Sequence, residues 1–163
     1  MYEHILLPTD GSPGMAKAIE NALYQAAGSG ATVHALYVVD LRSFVMLPED
    51  TQQQVIRLLQ TDGQEALEFV RQVAEDRGVP VETEMRQGVP QEVILQYVQE
   101  ADIDLVVMGT HGRTGEEFRI LGSIAEEVVR NSRVPVMTVR MSNAEIEKLD
   151  TDQPPEEQMR YVQ

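Results

Sequence analysis

The stretch IDLVVMGTHGRTGEEFRILGS, residues 103–123, joins an unbroken apolar run to a glycine-spaced loop, and the reading of that junction decides the fold. A short run with no polar face suits a strand covered by helices on both sides, as in a parallel sheet. The glycines follow the run at its carboxyl end, and Gly122-Ser123 then opens SIAEEVVRNS, residues 123–132, where apolar residues recur at helical spacing. Strand, glycine loop and helix make one βα unit, and the same rhythm runs outward from it in both directions.

Toward the N-terminus, HILLPT (4–9) reads as the first strand and Asp10-Gly11 as a turn, with Ser12 the expected N-cap and Pro13 the first helical residue of a helix over 13–27. Its inward face is Ala16, Ile19, Ala22, Leu23 and Ala26, and GSG (28–30) ends it. ATVHALYVVD (31–40) is a second strand, apolar on both faces. The connection LRSFVMLPED (41–50) carries Phe44-Val45-Met46-Leu47, expected to cap the edge of the core, with a subunit or partner contact as the alternative. A helical region over 51–77 follows, with a break expected at Thr61-Asp62-Gly63 and closure at Gly78. VPVETEMRQ (79–87) alternates like a half-exposed strand near an edge. GVPQEVILQYVQEAD (88–102) is a helix with Pro90 near its start and Val93, Ile94, Tyr97 and Val98 inward. Beyond the glycine loop, the helix directs Ile124, Val128 and Val129 inward, and VPVMTVR (134–140) is the last strand. The expected fold is α/β: an open five-stranded parallel sheet in the order 3-2-1-4-5 with helices on both faces. Residues 1–140 form the domain, and 141–163, poor in large apolar residues, form an acidic tail expected to be mobile.

Composition narrows the function classes. At 163 residues the chain suits one buried core, and the absence of cysteine removes thiol nucleophiles, disulfides and thiolate metal sites. MYEHILLPTD has no basic start and too short an apolar run for a signal peptide or a membrane span, so a cytoplasmic protein is expected. The formal net charge is -14, from 27 acidic and 13 basic residues. Such a surface repels nucleic acid and anionic membranes, which argues against either as the primary partner. The charge fits an ordinary solvated acidic surface or adaptation to high salt, where self-repulsion is screened over about 3 Å at molar ionic strength.

The glycine loop can be tested against known phosphate-binding patterns. A Walker A loop needs a lysine after its last glycine, whereas Gly122 is followed by Ser123 and Ile124. A dinucleotide fingerprint needs Gly-x-Gly-x-x-Gly, whereas Gly109, Gly112 and Gly115 are spaced by three. What remains is backbone able to approach a ligand closely at Gly109 and Gly112, and a helix start at Gly122-Ser123 whose free N–H groups suit an anion. The alternative is that these glycines serve only turns and helix packing. In the expected order the strand sequence reverses between the first and fourth strands, which end at Asp10 and Gly109, and open parallel sheets bind ligands at such a reversal.

ILLPTDGS (5–12), YVVD (37–40) and the run Gly109-x2-Gly112-x9-Gly122-Ser123 together resemble the universal stress protein family, specifically its ATP-binding branch, over residues 2–140. The resemblance implies a Rossmann-like sheet of the adenine nucleotide alpha hydrolase type, with ATP, or ADP or AMP, between the first and fourth strands. By position, Pro8 and Asp10 would line the adenosine end and the main chain of Val38 would meet the adenine edge. Met108 and Gly109 would pack near the ribose, and Gly112, Gly122, Ser123 and the Ile124 amide would face the phosphates. Arg113 is a further candidate for phosphate charge, its alternative being a solvated loop arginine. Glu116 and Glu117 stand where the family commonly has Leu-Lys. Beside a triphosphate they call for Mg²⁺ or Mn²⁺ between, or for carboxylates turned outward.

No catalytic set stands out. His4, His34 and His111 are not at metal-ligand spacing, no nucleophile elbow is present, and Asp10 is the one carboxylate placed to hold a metal ion or orient water. The leading expectation is a nucleotide-dependent regulator in stress response. The alternatives are a slow ATP hydrolase or nucleotidyl-transferring enzyme using Asp10 and a metal, and a dimeric interaction module with an unused pocket. The resemblance implies homodimers through the last strand, Val134 to Arg140, and leaves the protein partner unknown.

Overall fold

Alternating apolar runs and amphipathic stretches produce five strands and four helices in the computed structural model, which describes residues 1–110 and 121–140. They are β1 (His4–Pro8), α1 (Met15–Ser29), β2 (Thr32–Val39), α2 (Glu49–Asp76), β3 (Val81–Gln87), α3 (Pro90–Glu100), β4 (Leu105–Gly109), α4 (Ser123–Asn131) and β5 (Val136–Val139). The strands form one sheet in the order β3-β2-β1-β4-β5, and every pairing is parallel. Order and fold class are those read from the sequence.

Each parallel connection crosses the sheet on one face, so the chain's direction of travel assigns the helices to layers. From β1 to β3 it moves toward one edge, and α1 and α2 cover the face bearing Ile5, Leu7, Val33, Ala35, Tyr37 and Val107. From β3 it returns past β1 to β4 and β5, and α3 and α4 cover the opposite face, bearing Leu6, Leu36, Val106 and Met108. Alternation along each strand sends successive side chains to the two layers. β1 and β4 are therefore buried throughout their centres, and β3, at the edge, has no fully buried residue. On α3 the inward set is Val93, Ile94, Tyr97 and Val98, as read from the sequence, with Pro90 at the helix start.

Four local expectations are corrected. α1 begins at Met15 with Gly14 as N-cap and no side-chain cap, so Ser12 is not the cap. Pro13-Gly14 instead forms a turn in which the Met15 N–H donates to the Ser12 carbonyl at 3.0 Å. α2 runs without interruption through Thr61-Asp62-Gly63, and Gly63 is buried against the Tyr37 ring. The glycine serves close helix-to-sheet approach rather than a break. Val45 and Met46, 64% and 92% exposed, do not cap the core, while Leu41 packs against it and Gln52 Nε2 holds the loop by donating to the Val45 and Leu47 carbonyls. On α4, Ala125 and Val128 are buried and Ile124 packs at the margin, but Val129 is exposed because the helix presents only a narrow stripe to its layer. The expected tail, 141–163, lies outside the described residues.

Candidate functional site

Between the neighbouring strands β1 and β4 the strand order reverses, and the two lead into α1 on one face and α4 on the other. This leaves a crevice at their carboxyl ends. β1 closes with Pro8 opposite Leu36, and the Thr9 amide then donates to the Leu36 carbonyl at 2.9 Å. Beyond it the backbone is held by its own side chains. Gly11 N–H donates to Thr9 Oγ1 at 3.2 Å, and Ser12 N–H donates to Asp10 Oδ1 at 2.9 Å. The turn needs φ +74° at Gly11, where a side chain would be strained.

β2 runs further than β1. Because the Leu36 carbonyl faces β1, alternation turns the peptide groups of Val38, two residues on, toward the same side beyond the end of the β1 ladder. The intervening alternation holds too, since the Val39 carbonyl faces β3 and accepts from Gly88 N–H at 3.1 Å. The Val38 main chain thus offers a donor and an acceptor at the crevice, while its side chain packs into the α3–α4 layer. Past β2, Asp40 is clasped by Arg42, whose Nη2 lies 2.8 Å from Oδ2, and this hydrogen bonding holds the Asp40 carboxyl below its ordinary range.

On the other flank, Met108 is buried against the α3–α4 layer and Gly109 pairs with Val139. Thr110 N–H donates to the Val139 carbonyl at 3.1 Å, and the Thr110 carbonyl accepts from Gly122 N–H at 2.6 Å. That last bond sets the start of α4 beside the end of β4. Gly122 is the N-cap in extended conformation, and no side chain caps the helix. Helix geometry leaves the N–H groups of Ser123, Ile124 and Ala125 without intrahelical acceptors, and the positive end of the helix dipole coincides with them. The first acceptor used within the helix is the Gly122 carbonyl, from Glu126 N–H at 2.9 Å. Such an end suits an anion.

Pro8, Asp10, Val38, Met108, Gly109, Gly122, Ser123 and Ile124 therefore all stand at the carboxyl edge of the sheet, spread from the end of β2 to the start of α4. Gly112 and Arg113 lie outside the described residues, as do His111, Glu116 and Glu117. Thr9 and Thr110, both buried, carry hydrogen bonds that shape the crevice and were not singled out from sequence. The polar character of PTD and of MGT at strand ends was their only signal.

The two strand histidines meet away from the crevice. His4 Nδ1 and His34 Nε2 are 3.0 Å apart, His34 Nδ1 is 3.0 Å from the Tyr97 hydroxyl, and Glu82 Oε2 is 3.6 Å from the same nitrogen. Burial, the largest influence, pushes the His34 pKa down, His4 adds to this, and Glu82 and Glu84 oppose it. Among the described residues no group of three or more His, Asp or Glu side chains is gathered as metal ligands.

The sequence profile described as the Universal stress protein family matches residues 1–140. Universal stress protein MJ0531 of Methanocaldococcus jannaschii is 42% identical over 146 residues, covering 89% of this chain and 86% of that protein. The solved structure of hypothetical protein MJ0577 has a TM-score of 0.79 at 29% identity, covering 88% of this chain and 99% of the other. An Arabidopsis thaliana universal stress protein family protein with AMP bound has a TM-score of 0.66 at 20% identity, covering 88% and 94%, a likeness of fold. Among the described residues no helix is long and apolar enough to cross a membrane.

Proposed function

The chain belongs to the universal stress protein family, and from that premise we propose that it is a cytoplasmic, ATP-binding regulator whose occupancy is read by a partner in stress response. The observation that carries the reading is the start of α4: an uncapped helix N-terminus opened by Gly122, tied to the end of β4 and set at the strand-order reversal. Phosphates would take the Ser123 and Ile124 amides and the Ser123 hydroxyl, with Gly112 and Arg113 as further candidates. The nucleoside would lie toward Pro8, Asp10, Met108 and Gly109, with its base edge at the Val38 main chain. AMP on a fold neighbour supports the adenine class. A divalent ion, Mg²⁺ or Mn²⁺, would arrive with the phosphates. Regulation then requires that nucleotide bind one conformational or oligomeric state better, and about 1.4 kcal/mol of difference shifts that balance tenfold.

The protein also presents β5 as a sheet edge, with Val136 and Met137 only partly buried, which supports a homodimer through Val134 to Arg140. The test of nucleotide binding is mass analysis of small molecules released from protein purified without added nucleotide, followed by calorimetric titration with ATP, ADP and AMP, with and without Mg²⁺. Adenine nucleotide released or titrating, and lost in Gly122→Val while the variant still melts cooperatively, is expected. Empty protein that binds none of the three would overturn the reading and leave the glycines with structural roles alone.

A further inference from the structure

α1 and α2 are neighbours in one layer, since α1 links β1 to β2, α2 links β2 to β3, and both pack on the same face of the sheet. One ion pair identifies the flank of α2 that is turned to α1. Arg77, at the end of α2, places Nη2 3.8 Å from Glu20 Oε1 of α1. Residues four, eight and eleven positions before Arg77 share its flank at 3.6 residues per turn, and these are Val73, Phe69 and Ala66. The flank continues to Leu58 and Val55, eleven positions before Phe69 and Ala66.

Val73 and Ala66 reach the central cluster, but Phe69 is 54% and Leu58 66% exposed. Where α2 ends, an open cleft of about 420 Å³ is lined by Glu20, Asn21 and Tyr24 of α1 and by Arg77. Single apolar side chains are ordinary on a surface. Two large ones on the same stripe of a helix, beside a neighbouring helix and a cleft, form a groove wall of the kind that receives an amphipathic helix.

The residues between the two anchors select the partner. Asp62 and Glu65 follow Leu58 by four and seven positions, so the stripe reads Leu58, Asp62, Glu65, Phe69. Its apolar ends stand about 16 Å apart, three helical turns. A second copy turned to set its Phe69 on Leu58 would also set Glu65 on Asp62, carboxylate against carboxylate. Residues 141–163 hold six acidic and two basic residues and bring the same sign of charge.

We infer that the groove between α1 and α2 docks a cationic amphipathic helix of another protein. Apolar side chains three turns apart would rest on Leu58 and Phe69, with Lys or Arg between them facing Asp62 and Glu65. The groove shares no residue with the nucleotide site, so the inference is independent of nucleotide binding.

The test is calorimetric titration of the full chain with a synthetic helical peptide of about four turns, leucines at the matching positions and lysines between. The control is a shuffled peptide of the same composition that cannot form the stripe. The natural protein should bind the striped peptide roughly tenfold or more tighter than the shuffled one, and Leu58→Gln/Phe69→Gln should lose that preference. Asp62→Asn/Glu65→Gln should weaken the striped peptide roughly three- to tenfold. Because Leu58 and Phe69 are more than half exposed, the double variant should melt near the natural protein, and the single variants repeat the comparison if it melts early. Equal binding of both peptides by the natural protein, or a preference that survives in Leu58→Gln/Phe69→Gln, would overturn the assignment. So would sedimentation showing that the double variant loses an association the natural chain has, which gives the groove to a second copy. Protection of 141–163 from protease that is lost in the double variant would give it to the chain's own terminal segment, with the same consequence.

Discussion

Gly63 sits in the middle of α2, where the sequence suggests a break, and its replacement by alanine sets two effects of known sign against each other. A methyl group in a helix interior gains about 1 kcal/mol over glycine. At this position, however, the added Cβ would lie 2.5 Å from Cδ1 and 2.8 Å from Cε1 of Tyr37, and 2.8 Å from Cε of Met85. The methionine terminus can swing away. The tyrosine ring, 3% exposed and packed in the central cluster, cannot do so without displacing its neighbours. Overpacking of this kind costs about 1–3 kcal/mol, so Gly63→Ala should end between neutral and about 2 kcal/mol less stable. Gly28, also within a helix, has nothing within 4 Å of where a Cβ would stand, and Gly28→Ala should stabilise by up to about 1 kcal/mol. The pair shares the backbone effect, so their difference isolates the clash, about 2 kcal/mol, or roughly 4–8 °C in thermal midpoint for a domain of this size. Thermal and urea unfolding at fixed salt would measure it. If Gly63→Ala gained as much as Gly28→Ala, the account of α2 held against β2 by a missing side chain would be wrong.

The His34 site makes stability depend on pH with a definite sign. Its folded pKa is lowered from 6.5, so its contribution is full above the unfolded value and is lost as pH falls through the window beneath it, where the unfolded chain takes up the proton first. Urea midpoints between pH 8 and 5 should fall below about pH 6.5 in the natural protein and fall less in His34→Gln; equal slopes would show that His34 is not the group responsible. With a net charge of -14, the thermal midpoint should rise from dilute buffer to molar KCl, and an unchanged midpoint would mean that self-repulsion does not limit the fold. Sedimentation at micromolar concentration should give a dimer, and a monomer would count against pairing through β5.

Sequence alone determined what depends on neighbours along the chain. The run Leu105 to Gly109 had to be a strand covered on both faces, Val93, Ile94, Tyr97 and Val98 had to share one side of a helix, and the glycine loop had to follow a strand end. Period and punctuation are local properties, and most of the candidate site was legible for that reason: strand ends and helix starts are where backbone groups are left over. Tertiary structure decided what depends on residues far apart in sequence. Gly63 has the same local signature whether it breaks a helix or admits a ring, and only the position of Tyr37 chooses between the two. His4, His34 and Tyr97 meet across separations of 30 and 63 residues because β1 and β2 pair in one register with α3 laid over them. Gln91 looks like an ordinary polar residue of its helix, yet in the folded chain its amide oxygen is closed off from water. Solvation and contact belong to the assembled surface, and no spacing along the chain encodes them.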